Sequence, residues 1–206
     1  MKNVLSIENV YRASRFLDTS SFEEFGLPRL RGRLVEISSP SSHASITLAT
    51  SLMARAHQEG EPTAWIGPKN SIFYPPDLLK WPLDMNGLAL ILLDEPRDAG
   101  RAADRLLRSG GFGLVVIDLF SHSSLPSPLM GRLLKLAETH KSVLLFLTPG
   151  SERDPSLSSL ISLRIIATWK EARVDQLRGS FQIIKDKKRG PGQSFEEVYY
   201  GPMGLR

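Results

Sequence analysis

Residues 34–48 contain the elements of a phosphate-binding corner: a strand, a loop of small residues and the start of a helix. The strand runs Arg33-Leu34-Val35-Glu36-Ile37, and a turn-forming run, Ser38-Ser39-Pro40-Ser41-Ser42, ends it. Apolar residues spaced three and four apart predict a helix after this turn. Exposed helix N–H groups and the helix dipole attract anions, so the chemistry that this corner could support is phosphate binding.

The corner lacks the side chains that phosphoryl transfer requires. The loop of nucleotide hydrolases is G-x-x-x-x-G-K-[ST], in which glycines admit the phosphates, the lysine reaches the terminal phosphates and the hydroxyl binds magnesium. Ser39 and Ala44 stand at the glycine positions. Ser45 stands at the lysine position and Ile46 at the hydroxyl position. Because the lysine and the metal supply the largest electrostatic contributions, we expect a degenerate nucleotide site with no catalytic residue and no cofactor.

Alternating strands and helices surround this corner. Continuous apolar runs at 88–93, 114–117 and 143–147 are typical of strands buried on both faces of a parallel sheet. Helices are predicted at 96–108 and 128–140, and a further strand at 63–67. After Thr148 come a short helical stretch, 157–161, and strands at 163–169, 181–185 and 197–200, with little helix between them. The pattern predicts a doubly wound, mostly parallel α/β sheet with antiparallel strands added at its C-terminal end.

Composition limits the classes of protein. The chain has 206 residues, of which 41% are hydrophobic and 23% are charged, and this composition favours a single core domain. We expect this domain to cover residues 32–206. Residues 1–31 are predicted to form an N-terminal arm with a short helix around 8–16. The absence of cysteine excludes disulfide frameworks, cysteine-ligated metals and thiol nucleophiles. The four histidines show no metal-ligand spacing, so no metal is expected. No apolar run is long enough for a membrane span and no signal sequence is evident, so a cytoplasmic location is expected.

Basic residues cluster in two places. Arg29, Arg31 and Arg33 occupy alternate positions and could present one basic face, although a solvated strand edge is the simpler interpretation. The second cluster, opposed only by Asp186, comprises Arg178, Lys185, Lys187, Lys188 and Arg189. With a net charge of +4 for the whole chain, either cluster could bind DNA or an acidic partner surface. A solvated basic hairpin is the alternative interpretation of the second cluster.

Several segments in order resemble the ATPase core of the RecA recombinases. The matching runs are Gly32-Arg33-Leu34-Val35-Glu36-Ile37 before Pro40-Ser41-Ser42, then Ala64-Trp65-Ile66, then Arg108-Ser109-Gly110 before Leu114-Val115-Val116-Ile117-Asp118, and Ile183-Ile184-Lys185-Asp186-Lys187 before Tyr199-Tyr200-Gly201. The resemblance covers most of residues 27–204. It implies a RecA-like P-loop NTPase core in which Lys185 and Lys187 match lysines that reach the ATP of a neighbouring subunit.

The departures from RecA also bear on function. Lys69 stands where RecA has the glutamate that activates water, and an ammonium cannot act as that base at neutral pH. Asp118 sits where a Walker B aspartate would, but Ile46 removes its partner for magnesium. The segment between Thr148 and Leu163 is too short for the DNA-binding loop of RecA. We expect a fold that neither hydrolyses ATP nor exchanges strands, with a degenerate nucleotide site comprising Ser39, Pro40, Ser41, Ser42, Ser45 and Asp118.

Small degenerate RecA-like proteins of about this length are similar to the ImuA family. That resemblance implies a non-catalytic adaptor in the SOS response to DNA damage, which links an ImuB-like Y-family polymerase relative used in translesion synthesis to RecA or DNA. A homo-oligomer is also compatible with this class. Two alternatives remain open at this stage. One is an atypical RecA-family ATPase in which Ser41, Ser42, Ser45, Lys69 and Asp118 form a phosphate site. The other is an inhibitor of RecA filaments or of cell division.

Overall fold

A computed structural model describes residues 25–40, 42–71, 73, 83–119, 125–173 and 176–200. Eight strands form one sheet: β1 Arg33–Ser39, β2 Thr63–Pro68, β3 Leu88–Leu93, β4 Leu114–Asp118, β5 Val143–Pro149, β6 Leu163–Arg173, β7 Gln176–Asp186 and β8 Ser194–Tyr200. Their order across the sheet is β3-β2-β4-β5-β1-β6-β7-β8. Strands β1 to β6 pair in parallel, whereas β7 and β8 are added antiparallel.

Helices cover both faces of this sheet. The helices are α1 Leu27–Leu30, α2 Ser42–Gln58, α3 Ala99–Ser109 and α4 Ser127–His140, with single 3₁₀ turns at Met85–Gly87 and Pro96–Asp98. Alternate residues of each strand pack into two separate hydrophobic cores, because successive side chains of a strand point to opposite faces of the sheet. Val35 and Ile37 pack with α2 in one core, and Leu34 packs with α3 and α4 in the other. The prediction of a doubly wound sheet with antiparallel C-terminal strands is confirmed.

The last residues of the predicted N-terminal arm pack against the core. Phe25, Leu27 and Leu30 are almost fully buried in the core on the α2 side. These three apolar side chains at the end of the arm therefore contribute to the core. The rest of the arm, including the helix predicted around residues 8–16, lies outside the described residues.

Two expectations about local structure were wrong. Residues 157–161 form turns and no helix, and the backbone N–H of Leu157 donates to the carboxylate of Glu36. Strands β6 and β7 extend to eleven residues each, well beyond the apolar segments that predicted them. Their outer halves carry Lys170 and Arg178, and cross-strand pairing extends a hairpin through polar positions that lack an apolar signal.

Parallel pairing brings the ends of the central strands to one edge, called here the carboxyl edge. Ser39 at the end of β1 aligns with Pro149 of β5, and Asp118 at the end of β4 aligns with Leu147. The opposite side, where β1, β4, β5 and β6 begin, is called the amino edge. Within the part of the chain that the structure describes, no helix is long and apolar enough to cross a membrane. The same residues contain no group of three or more acidic or histidine side chains able to hold a metal ion.

Candidate functional site

The predicted phosphate corner lies at the carboxyl edge. Ser39 ends β1 and is fully buried, and its carbonyl accepts a hydrogen bond of 3.1 Å from the backbone N–H of Gly150. Pro40 is exposed, and α2 begins at Ser42. Ser45 lies in the first turn of α2 and is also fully buried. Ser41 lies outside the described residues. The corner thus joins a strand to the N-terminus of a 17-residue helix, but Ser45 contributes a neutral hydroxyl where a nucleotide hydrolase has a charged amine.

Asp118 also lies at the carboxyl edge, where it holds the segment after β2. Ser71 Oγ donates to Asp118 Oδ2 at 2.8 Å, and the backbone N–H of Phe73 donates to Ser71 Oγ at 3.1 Å. Gly67 keeps this approach open, because a Cβ there would lie 3.1 Å from Trp65 Nε1 and 3.4 Å from Asp118 Cβ. The carboxylate is therefore engaged by a neutral hydroxyl donor from the neighbouring segment.

Lys69 pairs with an acidic residue of the adjacent strand end. Its Nζ lies 2.7 Å from Asp94 Oδ1, and both side chains are more than half exposed. Its backbone N–H also donates to the carbonyl of Leu93 at 3.1 Å. The structure therefore joins Lys69 to Asp94, in a solvent-exposed pair of the kind that contributes about 0–1 kcal/mol to stability.

A buried carboxylate beneath the carboxyl edge escaped the sequence analysis. Glu36 sits inside β1 with a side chain only 2% exposed. Its oxygens accept hydrogen bonds from Thr148 Oγ1 at 3.0 Å, Ser156 Oγ at 2.6 Å and the backbone N–H of Leu157 at 3.1 Å. A single charge inside an apolar strand was the available signal, because such a residue must find a partner when buried. The identity of its partners required the tertiary structure.

Arg164 faces Glu36 from β6 and completes this network. The parallel register aligns the two residues, and Arg164 Nε lies 3.6 Å from Glu36 Oε2. The guanidinium also donates to Ser38 Oγ at 3.1 Å and to the backbone carbonyls of Ser151 and Asp154. Glu36 and Arg164 together fasten residues 151–157 to the central strands through both backbone and side-chain atoms. The loop after β5 is therefore anchored by buried charge.

The structure separates the three alternate arginines and corrects the expectation of one basic face. Arg33, only 1% exposed, donates to Asp186 Oδ1 at 2.7 Å and to the carbonyl of Ser162 at 2.7 Å. Arg29 donates to Asp186 Oδ2 at 3.0 Å from the other side. Burial raises the pKa of Asp186, but the hydrogen bonds from Arg33, Arg29 and the backbone N–H of Lys188 outweigh burial and lower this pKa to about 2. These two arginines stabilise the core and are not solvated.

Arg31 points elsewhere. Its Nη2 lies 2.8 Å from Glu61 Oε1 and 3.3 Å from Glu59 Oε2, and its side chain is one third exposed. Hydrogen bonding to Glu61 raises the pKa of Arg31 above its usual value. Its positive charge is thus balanced by two carboxylates at the end of α2.

The C-terminal basic cluster divides between two distant places. Arg178 lies near the start of β7 on an exposed sheet face, where it pairs with Glu196 at 3.5 Å. Lys187 follows the end of β7, roughly 30 Å further along at about 3.3 Å per residue. Lys188 and Arg189 are exposed beside it. The five basic residues therefore do not form one continuous stripe.

Lys185 differs from its neighbours because it is partly buried. It is paired in register with Arg164 across β6 and β7. Burial lowers the pKa of Lys185, and the charge of Lys187 lowers it further, while Glu36 opposes both effects. Lys187 remains more exposed, with its Nζ donating to the carbonyl of Ser159 at 2.6 Å. The two lysines predicted to act as a pair thus occupy different environments.

The strand order, the helices on both faces and the corner after β1 are consistent with a RecA-like α/β core. Comparison with curated proteins agrees. The chain is 34% identical over 114 residues to the RecA protein of Mannheimia haemolytica, which covers 55% of this chain and 30% of that protein. It is 32% identical over 117 residues to RecA of Rhizobium rhizogenes and 34% identical over 116 residues to RecA of Rhodospirillum rubrum. The chain spans about a third of the length of these relatives. No protein-family model matches it.

Proposed function

We propose that this protein is a non-catalytic RecA-like adaptor that acts by binding in the response to DNA damage. The observation that carries the proposal is Ser45, a fully buried neutral hydroxyl in the first turn of α2. A RecA-like ATPase needs a lysine there, because its charge and the adjacent metal ligand stabilise the transferring phosphoryl group. Asp118, which stands where a Walker B aspartate would, accepts a hydrogen bond from Ser71 Oγ.

Similarity to RecA proteins supports partners drawn from RecA-related proteins or DNA. The finer part of the proposal follows the resemblance to the ImuA family: a link between RecA or DNA and an ImuB-like polymerase relative. The edge strand β3 favours a protein contact, because Leu90 and Leu92 are 39% and 44% exposed there. No described strand pairs with the outer side of β3, and a strand edge with exposed apolar side chains is a template for pairing with another chain.

Affinity capture from the native host tests the adaptor proposal. The tagged full chain is recovered with and without DNA damage, in the presence of nuclease, and its partners are read by mass spectrometry. We expect RecA or a Y-family polymerase relative to remain after nuclease treatment. A variant with Leu90→Asp and Leu92→Asp should lose that partner, whereas the Lys69→Asp variant, changed at an exposed pair nearby, should retain it. Recovery of neither protein, or only of proteins lost with DNA, would count against an adaptor.

An atypical nucleotide-binding enzyme remains the second candidate. The observation that favours it is the 17-residue helix α2, whose N-terminus at the carboxyl edge retains the N–H groups and dipole that attract phosphate. Magnesium-dependent ATP turnover by the purified chain, abolished by Asp118→Ala, would support this candidate and contradict the non-catalytic proposal. The absence of turnover above a buffer blank is the result that we expect.

A further inference from the structure

A concave pocket of about 520 Å³ opens at the amino edge of the sheet. Its walls come from the residues before β1, the second half of α4, the loop before β6 and the turn after β7. Open α/β sheets ordinarily bind their ligands at the carboxyl edge. The pocket is thus separated by the length of the strands from the corner at Ser39 and Ser45.

Three lysines on the wall of this pocket carry charge that the described residues do not balance. Lys141, Lys187 and Lys188 are all exposed, and none of them forms an ion pair within the described part of the chain. Lys187 Nζ donates to the carbonyl of Ser159 at 2.6 Å, which positions the ammonium without neutralising it. The pocket therefore presents several positive charges converging on one concavity.

The remaining charged groups on the wall are already accounted for. Arg31 is balanced by Glu59 and Glu61, and Arg33 is bound to Asp186. Glu138 is the single acidic side chain among the residues described as lining the pocket, and the three lysines outnumber it. An anionic group entering the pocket would meet net positive charge, together with one carboxylate that constrains where it can sit.

Hydrogen bonds to neighbouring residues fix the backbone at Lys141 and Lys188. The backbone N–H of Lys188 donates to Asp186 Oδ1 at 2.9 Å, and Arg33 holds the same carboxylate at 2.7 Å. Lys141 ends α4 in the left-handed conformation, with φ of 54°. Ser142, which follows it, donates its backbone N–H to the carbonyl of Ala137 at 3.0 Å. A site built on fixed backbone loses less conformational entropy on binding.

The pocket is also partly apolar, because Leu134 and Leu160 line it while remaining half-buried. We propose that this pocket binds an acidic peptide segment of a partner protein, with carboxylates on Lys141, Lys187 and Lys188 and an apolar side chain against Leu134 and Leu160. Nucleic acid fits less well. A phosphodiester strand requires a basic stripe along its length, whereas these lysines surround one concavity that has an apolar surface. The proposal goes beyond the adaptor function, because it does not depend on which protein is the partner.

Selection from a phage-displayed library of random 12-residue peptides tests the proposal on the full chain. We expect the selected peptides to share aspartate or glutamate residues flanking leucine or phenylalanine. Binding of a fluorescein-labelled selected peptide, measured by polarisation, should weaken at least about tenfold in the variant with Lys141→Glu and Lys187→Glu, because two attractive charges become repulsive. The matched control carries Lys135→Glu on α4 and Arg105→Glu on α3, two exposed residues outside the pocket, and should bind unchanged.

Thermal unfolding followed by circular dichroism confirms that each variant is folded, and Lys141→Ala with Lys187→Ala replaces the charge reversal if that variant unfolds. Three outcomes would overturn the proposal: no selected peptides, peptides without acidic residues, or binding that is equal in the pocket and control variants. Displacement of the peptide by a single-stranded oligonucleotide that itself requires Lys141 and Lys187 would reassign the pocket to nucleic acid. Partner capture through β3 can succeed while peptide selection fails, so the two proposals can fail separately.

Discussion

The carboxyl and amino edges of the sheet are built on similar buried charge but differ in what they present. Glu36 with Arg164 underlies the first edge, and Asp186 with Arg33 underlies the second. The carboxyl edge presents neutral hydroxyls and Asp118, which accepts a hydrogen bond from Ser71. The amino edge presents lysines that form no ion pair with any described residue. Buried ion pairs shape both edges, and among the described residues three lysines without an ion-pair partner line one pocket at the amino edge.

Replacing the buried carboxylate of the amino edge should have the largest effect. Asp186→Asn leaves Arg29 and Arg33 buried without a counter-charge, so we expect the free energy of unfolding to fall by about 3–5 kcal/mol. Urea denaturation measures this loss. The control Glu196→Gln, at a pair with Lys170 and Arg178 on the exposed sheet face, should change the free energy of unfolding far less, because solvent screens exposed pairs. Equal losses in the two variants would remove the distinction between buried and exposed pairs.

The matching test at the carboxyl edge is Glu36→Gln. The amide keeps the shape and one acceptor but removes the charge that faces Arg164, so we expect a loss of about 2–3 kcal/mol. We also expect limited proteolysis to cut faster within residues 151–157, because Glu36 accepts hydrogen bonds from Ser156 and Leu157. Unchanged cleavage there would show that the loop is held by other contacts.

The depressed pKa of Asp186 predicts an acid dependence of stability. The pKa is about 2 in the folded protein against an ordinary value of 3.8, so the ionised carboxylate stabilises the fold above pH 3.8. This contribution, about 2 kcal/mol, is lost as the pH falls from about 5 towards 2. Unfolding measured across this range should therefore show the stabilities of the wild type and Asp186→Asn converging at low pH. A constant difference would contradict the linkage.

The smallest expected effect concerns the contact between Ser71 and Asp118. Ser71→Ala removes one hydrogen bond of 2.8 Å, and a loss of about 1 kcal/mol in unfolding free energy is expected. The same variant also tests the proposal that the phosphate corner is non-catalytic. If Asp118 bound magnesium in a working site, removal of the Ser71 hydrogen bond should raise ATP turnover in the presence of magnesium. We expect no turnover, and any increase in Ser71→Ala would favour the nucleotide-binding alternative.

Local patterns determined much of the fold. Apolar runs such as Leu114–Asp118 identified buried parallel strands, because a strand covered on both faces needs no polar alternation. The same patterns gave a wrong prediction for one segment of the loop after β5. Residues 157–161 look helical in isolation but form turns, and the loop that contains them is bound to Glu36, more than a hundred positions earlier, through the N–H of Leu157. Such a long-range contact leaves no local signal.

The sequence alone also showed that the phosphate corner lacks a lysine, because Ser45 stands at the lysine position. The sequence did not show which acidic residue each arginine would bind. Arg29, Arg31 and Arg33 are equivalent in the printed sequence, yet two bind Asp186 and one binds Glu59 and Glu61. The amino edge pocket is likewise assembled from four segments that are remote along the chain. Composition and periodicity determine which elements form, whereas charge pairing and cavities depend on distances that only the packed sheet and helices establish.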